Sequence, residues 1–130
     1  MKAFVFVLLA TTLLSTSSCV RLQFGPPAPE PGIHHIVLVW LNLSGNPSYR
    51  QQIISQSQRL EKIPGVISVN AGRSLFSNRN VVDHSFDVGL DITFETAEDL
   101  QYYLTHPDHL RFVEEIKPLI KRTVVYDIKK

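Results

Sequence analysis

Cysteine is nearly absent from the 130 residues: a single one occurs, so no disulfide can staple the chain internally and no cysteine pair can hold zinc. Neither sign of charge is in excess, with 13 Lys and Arg against 12 Asp and Glu for a net charge of +1. The basic residues are scattered rather than banded, which offers no general pull toward nucleic acid. No apolar run is long enough to cross a bilayer comfortably as a permanent helix, and no internal repeat is visible. What is present is ordinary: 44% hydrophobic and 19% charged residues suit a globular chain, and 130 residues leave room for one core.

The N-terminus reads "MKAFVFVLLATTLLSTSSC". One lysine precedes an apolar run from Ala3 to Leu14, and small polar residues then lead to Cys19. This shape predicts an export signal over residues 1–18. Its removal takes away Lys2 and leaves twelve basic side chains (13 less one) against 12 acidic ones. The segment resembles a bacterial lipoprotein signal, in which the cysteine is acylated and becomes the first residue, although Thr16 stands where such signals usually carry Leu. Two outcomes follow from the residues: lipidation of Cys19, or ordinary secretion with cleavage near Ser17 or Ser18. A diacylated Cys19 would hold the protein on a membrane surface without spanning it. "VRLQFGPPAPEPG" comes next, and its prolines and glycines forbid a helix and favour an extended tether. Residues 19–32 are thus expected to form anchor and tether, and 33–130 a single domain.

"IHHIVLVWLNL" is a β-branched apolar run expected to be a strand buried on both faces. Asn46 and Pro47 open a helix whose sparse apolar stripe is Tyr49, Ile53, Leu60 and Ile63, and Pro64-Gly65 stop it. Val66–Phe76 is a second strand candidate, interrupted by Asn70 and Gly72. "SFDVGLDITFE" alternates, with Phe86, Val88, Leu90, Ile92 and Phe94 on one face and Asp87, Gly89, Asp91 and Thr93 on the other. Thr96 and Asp99 are spaced close to a capping box and start a second helix, which Pro107 must kink or restart. Thr123–Ile128 closes the domain as a strand. The order strand, helix, strand, strand, helix, strand is the ferredoxin-like split βαβ pattern, an α+β fold with two helices on one face of a four-stranded antiparallel sheet. The other sheet face then needs a cover, and a homodimer supplies it.

"HHIVLVWL", "IPGV", "FDVGLDITFET" followed by "EDLQYYLTHPDHLRF", and the terminal "VVYDI" together resemble the stress-responsive A/B barrel (Dabb) domain from His34 to Ile128. The resemblance implies a dimeric α+β barrel, with a cavity in each unit between sheet and helices. It also implies chemistry in some members. The family's plant polyketide cyclases close a linear polyketone by aldol condensation, without metal or cofactor. Carried over by position, His109 is the base, Tyr103 assists, Asp127 on the last strand orients the base, and His35 borders the cavity. Val37 and Phe112, the latter at helical spacing from His109, are expected to contact the ligand as well. An imidazole suits proton removal beside a carbonyl near neutral pH, and a phenol can donate to the developing enolate oxygen.

Structural roles stand beside each of these. His109 could serve as a tie between helix and last strand through Asp127, and His106 as a helix cap. His34 and His35 cannot face the same way, so one is expected to be exposed. Tyr102 suits the surface or a dimer contact, and Asp87 and Asp91 suit solvation or pairing with a basic residue. Trp40 and Leu41 form a bulky pair where a substrate wall would need a particular shape. A metal held by His106, His109 and His35 lacks ligands, and Pro107 disturbs the spacing.

The sequence therefore points to an exported, lipid-anchored, dimeric A/B barrel that binds a small apolar or aromatic molecule beside His109. The alternatives are a cofactor-free cyclase or lyase using His109 as base, and a membrane-tethered structural or stress-protective module. Replacement of Cys19 by Ser is expected to release the protein from the membrane fraction of expressing cells. Undiminished retention of Cys19→Ser would refute lipid anchoring.

Overall fold

The structure is a computed structural model that describes residues 31–130. The expected export signal, Cys19 and most of the expected tether lie outside the described residues. Four strands, β1 (Ile33–Leu41), β2 (Val66–Gly72), β3 (Val88–Phe94) and β4 (Ile120–Lys129), pair antiparallel in the order β2-β3-β1-β4. Helices α1 (Pro47–Ser57), α2 (Ala97–Thr105) and α3 (Pro107–Ile116) complete the expected ferredoxin-like α+β unit. Among the described residues no helix is long and apolar enough to cross a membrane.

Local chemistry sets the helix ends. Asn46 caps α1 by accepting the Tyr49 N–H at 3.0 Å, and Pro47 occupies the first turn, where its missing N–H costs nothing. The α1 helix tightens into a 3-10 turn over Gln58–Lys62. Together they bury Ile53, Leu60 and Ile63 against the sheet. Thr96 and Asp99 form a reciprocal capping box at α2. The expected break at Pro107 separates α2 from α3: His106 is extended (φ −67°, ψ 136°), because the residue before proline is pushed out of helical space.

Several boundaries differ from expectation. The β2 strand stops at Gly72, and the chain runs on outside the sheet to Asp87. The alternation expected from Phe86 through Phe94 is broken at its start, where Asp87 and Val88 are both buried. Phe86 therefore does not join Val88, Leu90, Ile92 and Phe94 on the core face. It packs edge-on against Trp40, near Ile36 and Leu38 on the outer sheet face. Trp40 also lies there, its ring under the Arg122 guanidinium at 4.5 Å, whereas Leu41 is in the core. The two never share a wall.

The break has an electrostatic cause. Asp87 is neither solvated nor in a strand; it is 5% exposed and its carboxylate organises the β1–α1 connection. The backbone N–H groups of Leu41 and Gly45 donate to it at 2.9 and 2.6 Å. The Ser44 hydroxyl lies at 3.5 Å and an Arg50 nitrogen at 3.9 Å. Gly45 sits at φ 75°, a conformation open to glycine at little steric cost. Asp91, the supposed companion of Asp87, is on the outer face and meets His34 at 3.1 Å.

That outer face carries Ile36, Leu38 and Trp40 from β1, with Tyr126 and Ile128 from the edge strand β4 about half exposed. It is the face the sequence left in need of a cover. For Asp87→Ala we expect a loss of about 2–4 kcal/mol of unfolding free energy by urea denaturation, because the buried Leu41 N–H and the part-buried Gly45 N–H lose a charged acceptor. A change under about 1 kcal/mol would show that water replaces the carboxylate without cost.

Candidate functional site

A cavity of about 440 Å³ lies between the inner sheet face and the α2–α3 pair. That is within the size range of small-molecule sites. Val37, Leu90, Ile92, Phe112 and Ile116 make its walls largely apolar. Polar side chains enter it from four elements: His35 from β1, Tyr103 from α2, His109 from α3 and Thr123 from β4. Glu114 and Lys117, paired at 3.4 Å and both 71% exposed, mark its rim.

The Pro107 break is what brings Tyr103 and His109 together, with ring centroids 4.4 Å apart. The phenol ring also meets His35 edge-on at 5.9 Å. Tyr103 thus stands between two imidazoles. It is 1% exposed, and burial pushes its phenol far above the usual tyrosine range, so it remains a hydrogen-bond donor at any physiological pH.

The tautomers follow from the acceptors. His35 Nδ1 lies 2.6 Å from an Asp127 carboxylate oxygen, and His109 Nδ1 lies 3.1 Å from the Leu104 carbonyl oxygen. A carboxylate and a carbonyl only accept, so each Nδ1 carries the proton and donates it. On a neutral ring held this way, Nε2 is the nitrogen left with a lone pair. Burial lowers the His109 pKa below the ordinary imidazole value; the Leu104 carbonyl opposes that and the neighbouring His35 adds to it. His109 is accordingly a neutral base at neutral pH.

A profile of the stress responsive A/B barrel domain matches residues 33–130. The chain belongs to the Dabb family. Solved structures share the fold. A hydroxynitrile lyase from Passiflora edulis is 23% identical with a TM-score of 0.65, covering 78% of this chain and 95% of that one. A dimeric ferredoxin-like protein of unknown function from Thermobifida fusca is 21% identical with a TM-score of 0.64, covering 82% and 97%. A protein from Arabidopsis thaliana is 22% identical with a TM-score of 0.66, covering 75% and 94%. No curated protein matches the chain in sequence.

Within this Dabb domain, five of the residues singled out from the sequence do meet at one cavity: His35, Val37, Tyr103, His109 and Phe112. The pairing assigned among them is corrected. Asp127 bonds to His35 and not to His109, which takes the Leu104 carbonyl instead. The reason is topological: β4 lies beside β1, and the register sets Asp127 directly opposite His35. Each end of β4 also exposes its side chains, so Asp127 keeps half of its surface in solvent (52%) while His35 is buried. His34 points to the other sheet face and is half-buried on Asp91 rather than exposed. His106 caps α3, its Nδ1 accepting the Asp108 N–H at 3.2 Å, and does not enter the cavity. Tyr102 is on the surface. Among the described residues no three His, Cys, Asp or Glu side chains cluster in a way that could hold a metal.

The sequence did not mark Thr123 and Val125 of β4 or Ile120 as lining residues. The signal was available in the alternation of the last strand, where Thr123, Val125 and Asp127 share a face. We expect the His109 ring to titrate below about 6.5 in NMR spectra of the folded protein. As pH falls through that value the unfolded chain takes up the proton first, so His109 contributes a loss of stability on acidification and none above it. A His109 midpoint at or above the ordinary value would contradict the buried, neutral imidazole.

Proposed function

We propose that this Dabb protein is exported, anchored through Cys19, assembled as a homodimer, and binds a small aromatic or apolar molecule in the cavity beside His109. One observation carries the binding reading: within largely apolar walls, the Tyr103 hydroxyl and the Nε2 atoms of His35 and His109 have no hydrogen-bond partner among the described residues. A ligand with an oxygen function at one end satisfies those atoms and buries its apolar body against Val37 and Phe112. The dimer is supported by the apolar outer sheet face and by the dimeric neighbour from T. fusca. Export and anchoring are supported by the apolar segment Ala3–Leu14 and its following cysteine.

A second reading is an aldol-type cyclase or lyase, favoured by the neutral His109 base next to a phenol donor and by the hydroxynitrile lyase among the structural neighbours. His109 Nε2 takes a proton from the carbon beside a carbonyl, and Tyr103 donates a hydrogen bond to the enolate oxygen. The enolate electron pair forms the carbon–carbon bond to a second carbonyl, whose oxygen receives the proton back from the imidazolium. The reverse sequence, starting at a hydroxyl, cleaves that bond. His35, held by Asp127, positions the carbonyl end.

A panel of phenols and aromatic ketones is expected to raise the melting temperature of the wild type, and Tyr103→Phe with His109→Ala to abolish the shift while the protein stays folded. A wild-type protein that no member of the panel stabilises would end the binding reading. On the second reading, His109→Ala lowers turnover of a responding ketone or cyanohydrin by about 10²–10⁴-fold. Turnover equal to wild type in that variant would remove His109 as the base.

A further inference from the structure

The chain between β2 and β3 carries residues that the cavity does not use. Leu75, Phe76 and Val81 are 84%, 71% and 90% exposed, an unusual density of large apolar side chains in water. Where this segment leaves β2 it passes the first turn of α1. There Arg50, Arg73, Ser74, Leu75 and Phe76 line a concavity of about 300 Å³. No acidic side chain lines it.

Arg50 is poorly satisfied, and Arg73, exposed to solvent, has no acidic partner among the described residues. The Arg50 side chain is 23% exposed, and its Nε is buried without a hydrogen-bond partner. Its acidic neighbour, Asp87, stays 3.9 Å away, because that carboxylate already accepts from Leu41 and Gly45. Arg73 makes no ion pair among the described residues. A buried guanidinium N–H with nothing to donate to is costly, and a second guanidinium facing the same hollow adds repulsion. An anion in the hollow relieves that repulsion.

We propose that this concavity binds a phosphate group carried on an apolar or aromatic body, with Arg50, Arg73 and the Ser74 hydroxyl on the phosphate oxygens and Leu75 and Phe76 against the body. Planar guanidinium groups match phosphate oxygens in geometry and charge, and two of them suit a group bearing nearly two negative charges. The same chemistry comes from a soluble organic phosphate or from the headgroup of phosphatidic acid. In the second case Leu75 and Phe76 enter the lipid interface.

The test uses the full chain, with phenyl phosphate, inorganic phosphate and vesicles as probes. In calorimetric titration phenyl phosphate is expected to saturate one site and to bind more tightly than inorganic phosphate. Arg73→Gln, at an exposed position that leaves the fold intact, is expected to weaken it about tenfold. Arg79→Gln, an exposed arginine outside the hollow, is the control for general charge and is expected to change nothing. Vesicles separate the sources. Retention on phosphatidylcholine vesicles containing phosphatidic acid, above that on phosphatidylcholine alone and lost in Arg73→Gln, assigns the lipid headgroup. Equal retention on both, with phenyl phosphate binding intact, assigns a soluble phosphate. Absence of saturable binding to both phenyl phosphate and phosphatidic acid overturns the proposal, as does an equal loss in Arg79→Gln and Arg73→Gln.

Discussion

The antiparallel pairing of the first strand with the last is the constraint from which the rest of the molecule follows. It places β4 at the sheet edge beside β1 and sets Asp127 opposite His35. Without that pairing Asp127 would be one more acidic residue near the C-terminus. With it, a carboxylate exposed on one side reaches a buried ring at 2.6 Å and fixes which nitrogen carries the proton. The same pairing leaves β4 only partly covered by helices, and this is where the cavity between sheet and helices forms. A fully packed unit would have filled that volume with side chains.

The second organising feature is a helix interrupted on purpose by its own sequence. Were α2 and α3 one continuous helix, Tyr103 and His109 would be six positions apart and on different faces. The extended residue His106 and the proline after it allow the chain to turn, and the freed Leu104 carbonyl then finds the His109 ring. One local defect therefore does two things. It brings a phenol to an imidazole, and it supplies the acceptor that holds the imidazole in one tautomer. Burial does the remainder, keeping the phenol protonated and the imidazole neutral.

Much of this was legible in the sequence, and the parts that were not have identifiable causes. Helix starts at Asn46 and Thr96 and the restart at Pro107 are written in local chemistry, so they could be placed without a fold. The partner of Asp127 could not be, because it depends on register between strands far apart in the chain. Counting inward from the two ends of the β1–β4 pair would have given His35. Phe86 misled for another reason: its alternation with Val88 was genuine in the sequence, but a buried carboxylate next door broke the strand before it began. Hydrophobic period predicts a face only while the backbone stays in the sheet.

Three aspartates in or beside the sheet show why residue type alone does not locate a site. Asp87 is the most buried of them, and burial of an acid is a common pointer to function. Yet its oxygens are taken by two backbone N–H groups, and its work is to hold a loop. Asp91 meets a histidine, but on the outer face of the sheet, with Ile36 and Leu38 as neighbours rather than a ligand-sized cavity walled by helices. Asp127 is the most exposed of the three, and it alone bonds to a ring that enters the cavity. What separates structure from chemistry here is the identity of the donor and the space behind it. An acid whose lone pairs are consumed by the backbone has nothing further to give. One that orients a side chain with a free atom in an enclosed hollow does.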